Sequence, residues 1–171
     1  MSIIKEIPEP LAIIYTKSLS EGVVPQEWKR ANITPLFKKG SRSDAGNYRP
    51  VSLTSYFGKT LEAIMKDKIM YHLTIIFLIN ESQHGFRPKK SCLTNMLEFL
   101  EYVTTALDLG RPVDVVYLDF QKAFDKVPHL RLLNKIKAHG ITGDILRWIG
   151  EWLKDREQRV VLNGIMSAWI M

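Results

Sequence analysis

The stretch from Pro112 to Asp119 constrains the fold most, because it is apolar, rich in β-branched residues and ends in a carboxylate. Such a run predicts a buried strand with Asp119 at its C-terminal end. A carboxylate is costly to bury without a partner, so an Asp at this position ordinarily reaches solvent. The alternative is a ligand of Mg²⁺, which prefers carboxylate oxygen.

Helical spacing of apolar residues predicts helices over 10–20 and 59–73, and another that starts at Ser91 and ends near Gly110. Their apolar stripes are expected to be core faces. Pro128 suits the first turn of a helix that runs to Gly140, and Thr142 suits the cap of the next. In that last helix, the residues expected to face inward are Ile145, Ile149, Trp152 and Leu153.

Strand signals surround these helices. Residues 31–38 predict a strand, placed at a sheet edge because Pro35 cannot donate a hydrogen bond. Residues 40–47 predict a turn and 51–53 a returning strand. Asn163-Gly164 after residues 159–162 predicts a hairpin with a type I′ turn. Helices mixed unevenly with hairpins indicate an α+β fold.

The charge and the cysteine content of the chain exclude few functions. Lys and Arg total 24 against 18 acidic residues, and basic residues dominate between positions 29 and 49. That basic run is either a solvated loop or a surface that faces phosphates. One cysteine forms no internal disulfide, so a reducing intracellular location is the default, without a choice between nucleus and cytoplasm. The longest apolar run, residues 73–79, is too short to span a membrane.

The string D-F-Q-K-A-F-D-K-V-P, residues 119–128, resembles the first palm motif of non-LTR (LINE-type, jockey-like) retrotransposon reverse transcriptases. Residues 28–40 and 47–53 resemble the two fingers motifs of that family. Residues 82–87 resemble its G-F-R block, and residues 140–164 resemble the segment that follows. The resemblance begins near Pro25 and covers most of the chain.

The resemblance implies part of a right-hand polymerase, with helices packed on a short, mostly antiparallel sheet. Residues 1–111 would be an N-terminal helix and the fingers, and residues 112–171 the first half of the palm. The family activity is RNA-directed DNA polymerisation by two-metal nucleotidyl transfer. The implied partners are an RNA template, a DNA primer and dNTPs, with no membrane, and the implied cofactor is a pair of Mg²⁺ ions.

The resemblance also implies roles for single residues. Asp119 would be catalytic and would bind both Mg²⁺ ions, helped by the backbone of Phe120. Phe124 would lie under the sugar and exclude a ribose 2′-hydroxyl. The cations expected to grip the triphosphate are Lys38 or Lys39 together with Arg49. The residues expected to contact nucleic acid are Lys29, Arg30 and Arg87.

Each role has a structural alternative. Without its spacing from Asp119, Phe124 would be interpreted as a core aromatic, and Arg87 would serve equally as the partner of a structural carboxylate. Asp125 is better explained as a helix cap than as a catalytic group. His84 is expected to be a hydrogen-bonded structural residue. Whether Arg156 and Arg159 face solvent or nucleic acid stays open.

The family's later S-G-x-P-Q-G block and its D-D pair do not occur in the 171 residues. Because Asp119 alone is too few ligands for two cations, we expect no DNA synthesis by this chain by itself. A non-catalytic nucleic-acid-binding remnant and an inactive unfolded relic are the alternatives. The predicted strand at 113–119 would also leave an open sheet edge through which copies could associate.

Overall fold

The computed structural model describes residues 7–120 and 123–171, and it has the expected α+β fold. The helices are α1 (Pro8–Glu21), α2 (Gln26–Lys29), α3 (Tyr56–Ile75), α4 (Cys92–Asp108), α5 (His129–Ala138) and α6 (Gly143–Leu153). The strands are β1 (Arg30–Phe37), β2 (Tyr48–Thr54), β3 (Glu157–Leu162) and β4 (Ile165–Met166). The chain divides into two compact units, and the first combines Met1–Met70 with Pro128–Met171. The second unit is Tyr71–Val127.

The sheet of the first unit has the strand order β2-β1-β3-β4. Strands β1 and β2 form the expected antiparallel hairpin, with Phe37 opposite Tyr48. Strand β3 pairs with β1 in parallel and with β4 in antiparallel fashion, so the sheet is mostly antiparallel. The β3–β4 turn is the predicted type I′ turn, since Asn163 and Gly164 have φ angles of 50° and 80°.

Strand β1 is not the edge strand that Pro35 predicted, because it lies between β2 and β3. The pairing with β3 covers only Arg30–Ile33, however, so at Pro35 the strand has β2 as its one neighbour. Pro35 lies opposite Pro50, three steps from the ladder hydrogen bond between the Lys38 N–H and the Asn47 carbonyl. Hydrogen-bonded and non-bonded pairs alternate along such a ladder, which places both prolines where no N–H is needed.

The core of the first unit forms where α1, α3 and α6 meet. Its two most deeply buried side chains are Trp148, 2% exposed, and Leu61, 1% exposed. The indole N–H of Trp148 donates to Ser18 Oγ at 2.9 Å, and that hydroxyl donates to the carbonyl of Val23 at 2.6 Å. Trp148 also stacks on Trp152, with ring centroids 5.0 Å apart. Helix α6 is therefore fixed to the end of α1 by packing and by a polar relay.

In the second unit, α4 begins as predicted but does not form a core face. Ser91 accepts from the Thr94 N–H and Thr94 Oγ1 accepts from the Ser91 N–H, which is a complete capping box. The predicted apolar stripe is nevertheless exposed, with Leu93 at 67% and Leu100 at 47%. The described part of this unit contains only α4 and the end of α3, so it has no second layer that would bury the stripe.

The prediction of a buried strand from Pro112 to Asp119 is wrong. The segment has no regular secondary structure, and Tyr117 and Leu118 are 82% and 89% exposed. A strand needs a neighbour for its N–H and C=O groups, and no strand among the described residues pairs with this segment. The open strand edge predicted there does not form, and association of copies through it is not shown. Gln121 and Lys122 of the motif lie outside the described residues.

None of the helices among the described residues is both long enough and apolar enough to cross a membrane.

Candidate nucleotide and nucleic-acid interface

The β1–β2 hairpin presents a group of cations at its tip, which we call the hairpin cations: Lys38, Lys39 and Arg49. All three are exposed. Arg49 lies opposite Leu36, and the ladder continues one step past β1 through the 2.8 Å bond from the Lys38 N–H to the Asn47 carbonyl. Because side chains alternate along a strand, Lys38 and Arg49 project from the same face of the hairpin.

The loop between these strands is held by its own side chains. The Asn47 amide donates to the Ser41 carbonyl at 2.9 Å, and the Tyr48 hydroxyl donates to the Arg42 carbonyl at 2.8 Å. The ring of Tyr48 packs edge-on against Phe37 at 5.5 Å, and the Arg42 guanidinium lies 5.1 Å from the Phe37 ring. The tip is thus a packed turn, which fixes the backbone from which the hairpin cations project.

The hairpin cations have no ion pair and no side-chain hydrogen bond within residues 7–120 and 123–171. The ion pairs of the first unit lie elsewhere, for example between Lys154 and Glu151 at 2.5 Å. Exposed cations without a partner attract polyanions most effectively, because no carboxylate competes for them. The arrangement suits a triphosphate or a nucleic-acid backbone.

Lys29 and Arg30, predicted to contact nucleic acid, also have contacts within the fold. Lys29 is only 6% exposed. Arg30 donates through Nε to Glu157 at 2.7 Å and through Nη1 to Glu27 at 3.3 Å. The hydrogen bond with Glu157 raises the pKa of Arg30. Contact of Lys29 and Arg30 with nucleic acid stays a prediction.

The pairing of Arg30 and Glu157 predicts a loss of stability in acid. The hydrogen bond from Arg30, followed by the one from Gln26, holds the pKa of Glu157 below its ordinary value. A lowered carboxylate pKa stabilises the fold above the unfolded-state pKa, and this contribution is lost as the pH falls through the folded-state pKa. Thermal unfolding followed by circular dichroism should show the melting temperature falling below about pH 4.

Glu157→Gln should flatten part of that acid-dependent fall, because the amide does not titrate. Glu101→Gln is the matched control, since Glu101 is exposed and forms no ion pair within the described residues. If wild type and Glu157→Gln lost the same number of degrees between neutral and acid pH, the pair would not contribute.

In the second unit, two motifs that lie far apart in sequence meet through an aromatic pair. The rings of Phe86, in the G-F-R block, and Phe124, in the palm-like string, lie 6.5 Å apart at 90°. Both side chains are largely exposed, 89% and 84%, so Phe124 is not a core aromatic in this unit. Asp119 and Phe120 are exposed as well. An exposed carboxylate and exposed rings on one segment are available to a ligand.

The segment before α4 is held by polar contacts that account for Arg87 and His84. Arg87 Nη1 donates to the Asn80 carbonyl at 3.1 Å and lies 3.8 Å from a carboxylate oxygen of Glu81. His84 is buried, with Nε2 2.6 Å from Glu98 and Nδ1 hydrogen-bonded into the α4 cap. The structural interpretation of His84 is confirmed, and Arg87 has the structural carboxylate partner that was its alternative.

The prediction that Asp125 caps the following helix is wrong. Helix α5 begins at His129, and its N-cap is Pro128, which has no side chain able to accept a hydrogen bond. Asp125 lies in the turn four residues before the helix, too far to reach the free N–H groups of the first turn.

A comparison of the sequence with known protein families identifies the family of this chain. Residues 37–168, most of the chain, match the family described as Reverse transcriptase (RNA-dependent DNA polymerase). The chain belongs to the reverse transcriptase family. The matched span contains the hairpin cations, the G-F-R block and the string that begins at Asp119.

Curated relatives narrow this to the reverse transcriptases of non-LTR retrotransposons, which confirms the resemblance. The RNA-directed DNA polymerase from mobile element jockey of Drosophila melanogaster is 30% identical over 159 residues, covering 92% of this chain and 17% of the relative. The probable RNA-directed DNA polymerase from transposon BS, also of Drosophila melanogaster, is 30% identical over 74% of this chain and 14% of its own length.

A third relative is the Retrovirus-related Pol polyprotein from type-1 retrotransposable element R1 of Bradysia coprophila. It is 33% identical over 138 residues, which are 76% of this chain and 13% of the relative. The chain therefore spans less than a fifth of the length of these relatives. It corresponds to part of their reverse transcriptase domain.

Reverse transcriptases are nucleotidyltransferases that use divalent metal ions, so the described residues can be tested as ligands. Asp119 supplies one exposed carboxylate. Throughout 7–120 and 123–171, no three Asp, Glu, His or Cys side chains come together as a metal site would require. Two adjacent cations need several anionic ligands, so the described side chains do not fit a complete two-ion site.

Two residues in or beside the sheet, Glu157 and Trp169, had no predicted role. Glu157 binds Arg30, and Trp169 lies under the guanidinium groups of both Arg30 and Arg159, at 5.2 and 4.4 Å from its ring centroid. No spacing rule points to Glu157, because its partner Arg30 lies 127 residues away in sequence.

Proposed function

We propose that this chain is the nucleotide- and template-binding part of an RNA-directed DNA polymerase that acts on an RNA template, a DNA primer and dNTPs. The observation that carries the proposal is the exposed, unpaired state of the hairpin cations within the span that matches the family. Three cations on a rigid turn bind phosphate oxygens without first having to leave a carboxylate.

In this proposal the β1–β2 hairpin belongs to the fingers, within residues 1–111, and residues 112–171 belong to the palm. Asp119 would supply one carboxylate to Mg²⁺, and Phe120 would help through its backbone. Phe124 would lie against the sugar of the incoming nucleotide, where a ring excludes a 2′-hydroxyl by shape. Its exposure and its contact with Phe86 support this role. Arg87 would act by stabilising the segment that carries Phe86.

The alternative, a non-catalytic remnant that binds nucleic acid, is less well supported. The relatives that match over most of the chain are named as RNA-directed DNA polymerases. The two functions share the hairpin cations, but only the polymerase uses Asp119 and Phe124.

The proposal predicts that the hairpin cations dominate nucleic-acid binding. We expect the triple variant K38A/K39A/R49A, the hairpin variant, to bind a labelled RNA–DNA primer–template about tenfold more weakly than wild type. Because each lost phosphate contact removes counterion release, the slope of log affinity against log salt should fall by about 2–3. Fluorescence anisotropy over a salt series measures both quantities.

A matched control is available on α5, where Arg131, Lys135 and Lys137 are exposed and unpaired within the described residues. The helix variant, R131A/K135A/K137A, likewise removes one Arg and two Lys side chains. Equal weakening by both triple variants would mean that only net charge matters, and it would contradict a specific role for the hairpin.

A further inference from the structure

An open pocket of about 600 Å³ lies on the β1–β3 side of the sheet, within the first unit. Asn32 is at its centre, opposite Leu53 on β2 and Arg159 on β3. The lining also includes Thr54 and Ser55, at the end of β2, and Trp169, after β4. No site in the interface described above uses these residues.

Arg159 brings an uncompensated charge into this pocket. Its Nε donates to Asn32 Oδ1 at 2.7 Å, and its guanidinium carbon lies 4.4 Å from the centre of the Trp169 ring. No carboxylate among the described residues pairs with it. Neighbouring Arg30 differs, because Glu157 and Glu27 both accept from its guanidinium. Arg159 is thus positioned by a neutral amide and an aromatic face, which leave its charge for a ligand.

The remaining polar groups of the pocket are mainly donors. The Asn32 side chain uses its oxygen for Arg159, which leaves its NH₂ group facing the cavity side of the strand. The hydroxyls of Thr54 and Ser55 form no hydrogen bond with any described residue. The lining also includes Glu27 and Arg30, but the Glu27 carboxylate accepts from Arg30 and is not paired with Arg159. With the free N–H groups of Arg159, a phosphate oxyanion is the complementary ligand.

We propose that this pocket binds a backbone phosphate of single-stranded RNA, with Arg159 supplying the charge and Asn32, Thr54 and Ser55 supplying neutral donors. This rests on the proposed function and extends it to a second phosphate site. Trp169 is a positioning residue, because it holds the plane of the guanidinium.

The position of the pocket favours a strand over a free nucleotide. Asn32 and Lys38 lie on the same face of β1, six residues apart, which corresponds to about 20 Å of extended strand. Leu36 and Val51, 54% and 37% exposed, lie on this face between the two cationic ends. A short single strand spans such a face, with phosphates at the ends and bases against these two apolar side chains.

Arg159→Gln should weaken binding of a short fluorescein-labelled oligouridylate about tenfold and reduce the salt slope by about 0.7. Arg156→Gln is the matched control, because Arg156 stacks on Trp152 outside the pocket and the charge change is the same. Thr54→Val with Ser55→Ala should weaken binding severalfold with little change in the salt slope. If Arg159→Gln melts at a lower temperature than wild type, its weaker binding could come from partial unfolding. The double variant, which changes no charge, then tests the pocket.

The outcomes separate this site from the hairpin. Normal oligouridylate binding by Arg159→Gln and by the double variant, with weak binding by the hairpin variant, would overturn the pocket and leave the proposed function intact. Weak binding by Arg159→Gln with normal binding by the hairpin variant would support the pocket and contradict the proposed function. If dTTP binding fell while oligouridylate binding did not, the phosphate would come from a free nucleotide and the strand proposal would be wrong.

Discussion

Trp148→Ala is expected to lower the free energy of unfolding by about 3–5 kcal/mol, the range for removing a buried aromatic side chain. Trp148 is 2% exposed, stacks on Trp152 and lies in the core where α6 meets α1. Alanine would leave a cavity there and would strip Ser18 of its indole donor. Since small domains are stable by only about 5–15 kcal/mol, the loss would be a large part of the stability of the first unit.

Trp148→Phe separates packing from hydrogen bonding. Phenylalanine keeps an aromatic ring beside Trp152 but has no N–H for Ser18, so we expect a loss of about 1–3 kcal/mol. Urea unfolding followed by far-ultraviolet circular dichroism measures both variants without relying on tryptophan fluorescence. A loss below 1 kcal/mol for Trp148→Ala would contradict the central role of this side chain.

The second large effect is catalytic. We expect no template-dependent primer extension by the purified chain in Mg²⁺ or Mn²⁺, even with saturating primer–template. Enzymes accelerate their reactions by factors of about 10⁶ or more, so an incomplete site differs from a complete one by orders of magnitude. The physical reason is the ligand set: among the described residues, Asp119 belongs to no group of three or more Asp, Glu, His or Cys side chains that could hold a metal ion.

Asp119→Asn controls this experiment, because it removes the carboxylate with almost no change in shape. Extension by wild type that disappears in Asp119→Asn would contradict the prediction and would show that a complete site assembles. Extension that persists in Asp119→Asn would instead identify a contaminating polymerase.

Local backbone structure was predictable from the sequence. The Ser91 capping box, the turn over 40–47 and the Asn163-Gly164 hairpin are set by residues within a few positions of one another, and all three formed as expected. The family and its order of motifs were equally readable, since the string at 119–128 is long and specific.

Long-range pairing was not predictable. Strand β3 pairs in parallel with β1 although Arg30 and Glu157 are 127 residues apart, and no periodicity encodes such a partner. The same limit explains the error at residues 113–119. Their composition is typical of a strand, but the fold places no strand beside them among the described residues. It also explains why Ile145 was expected inside, whereas it is 41% exposed and Trp148 occupies the core.

The basic run between positions 29 and 49 shows a further limit. Sequence treats its cations alike, but the fold buries Lys29, pairs Arg30 with two carboxylates and exposes Lys38 and Arg49. Only the strand register distinguishes the cations that are buried or paired with carboxylates from those that stay available to a ligand. Charge clusters therefore predict a basic surface but not which of its residues form it.

The parallel β1–β3 pairing also governs how the protein is made. Strands β1 and β2 leave the ribosome about a hundred residues before β3, with the whole second unit in between. At about 5–20 residues per second, the nascent hairpin waits roughly 5–20 seconds with the unpaired side of Arg30–Ile33 open to solvent. During translation this open edge can mispair with a neighbouring nascent chain.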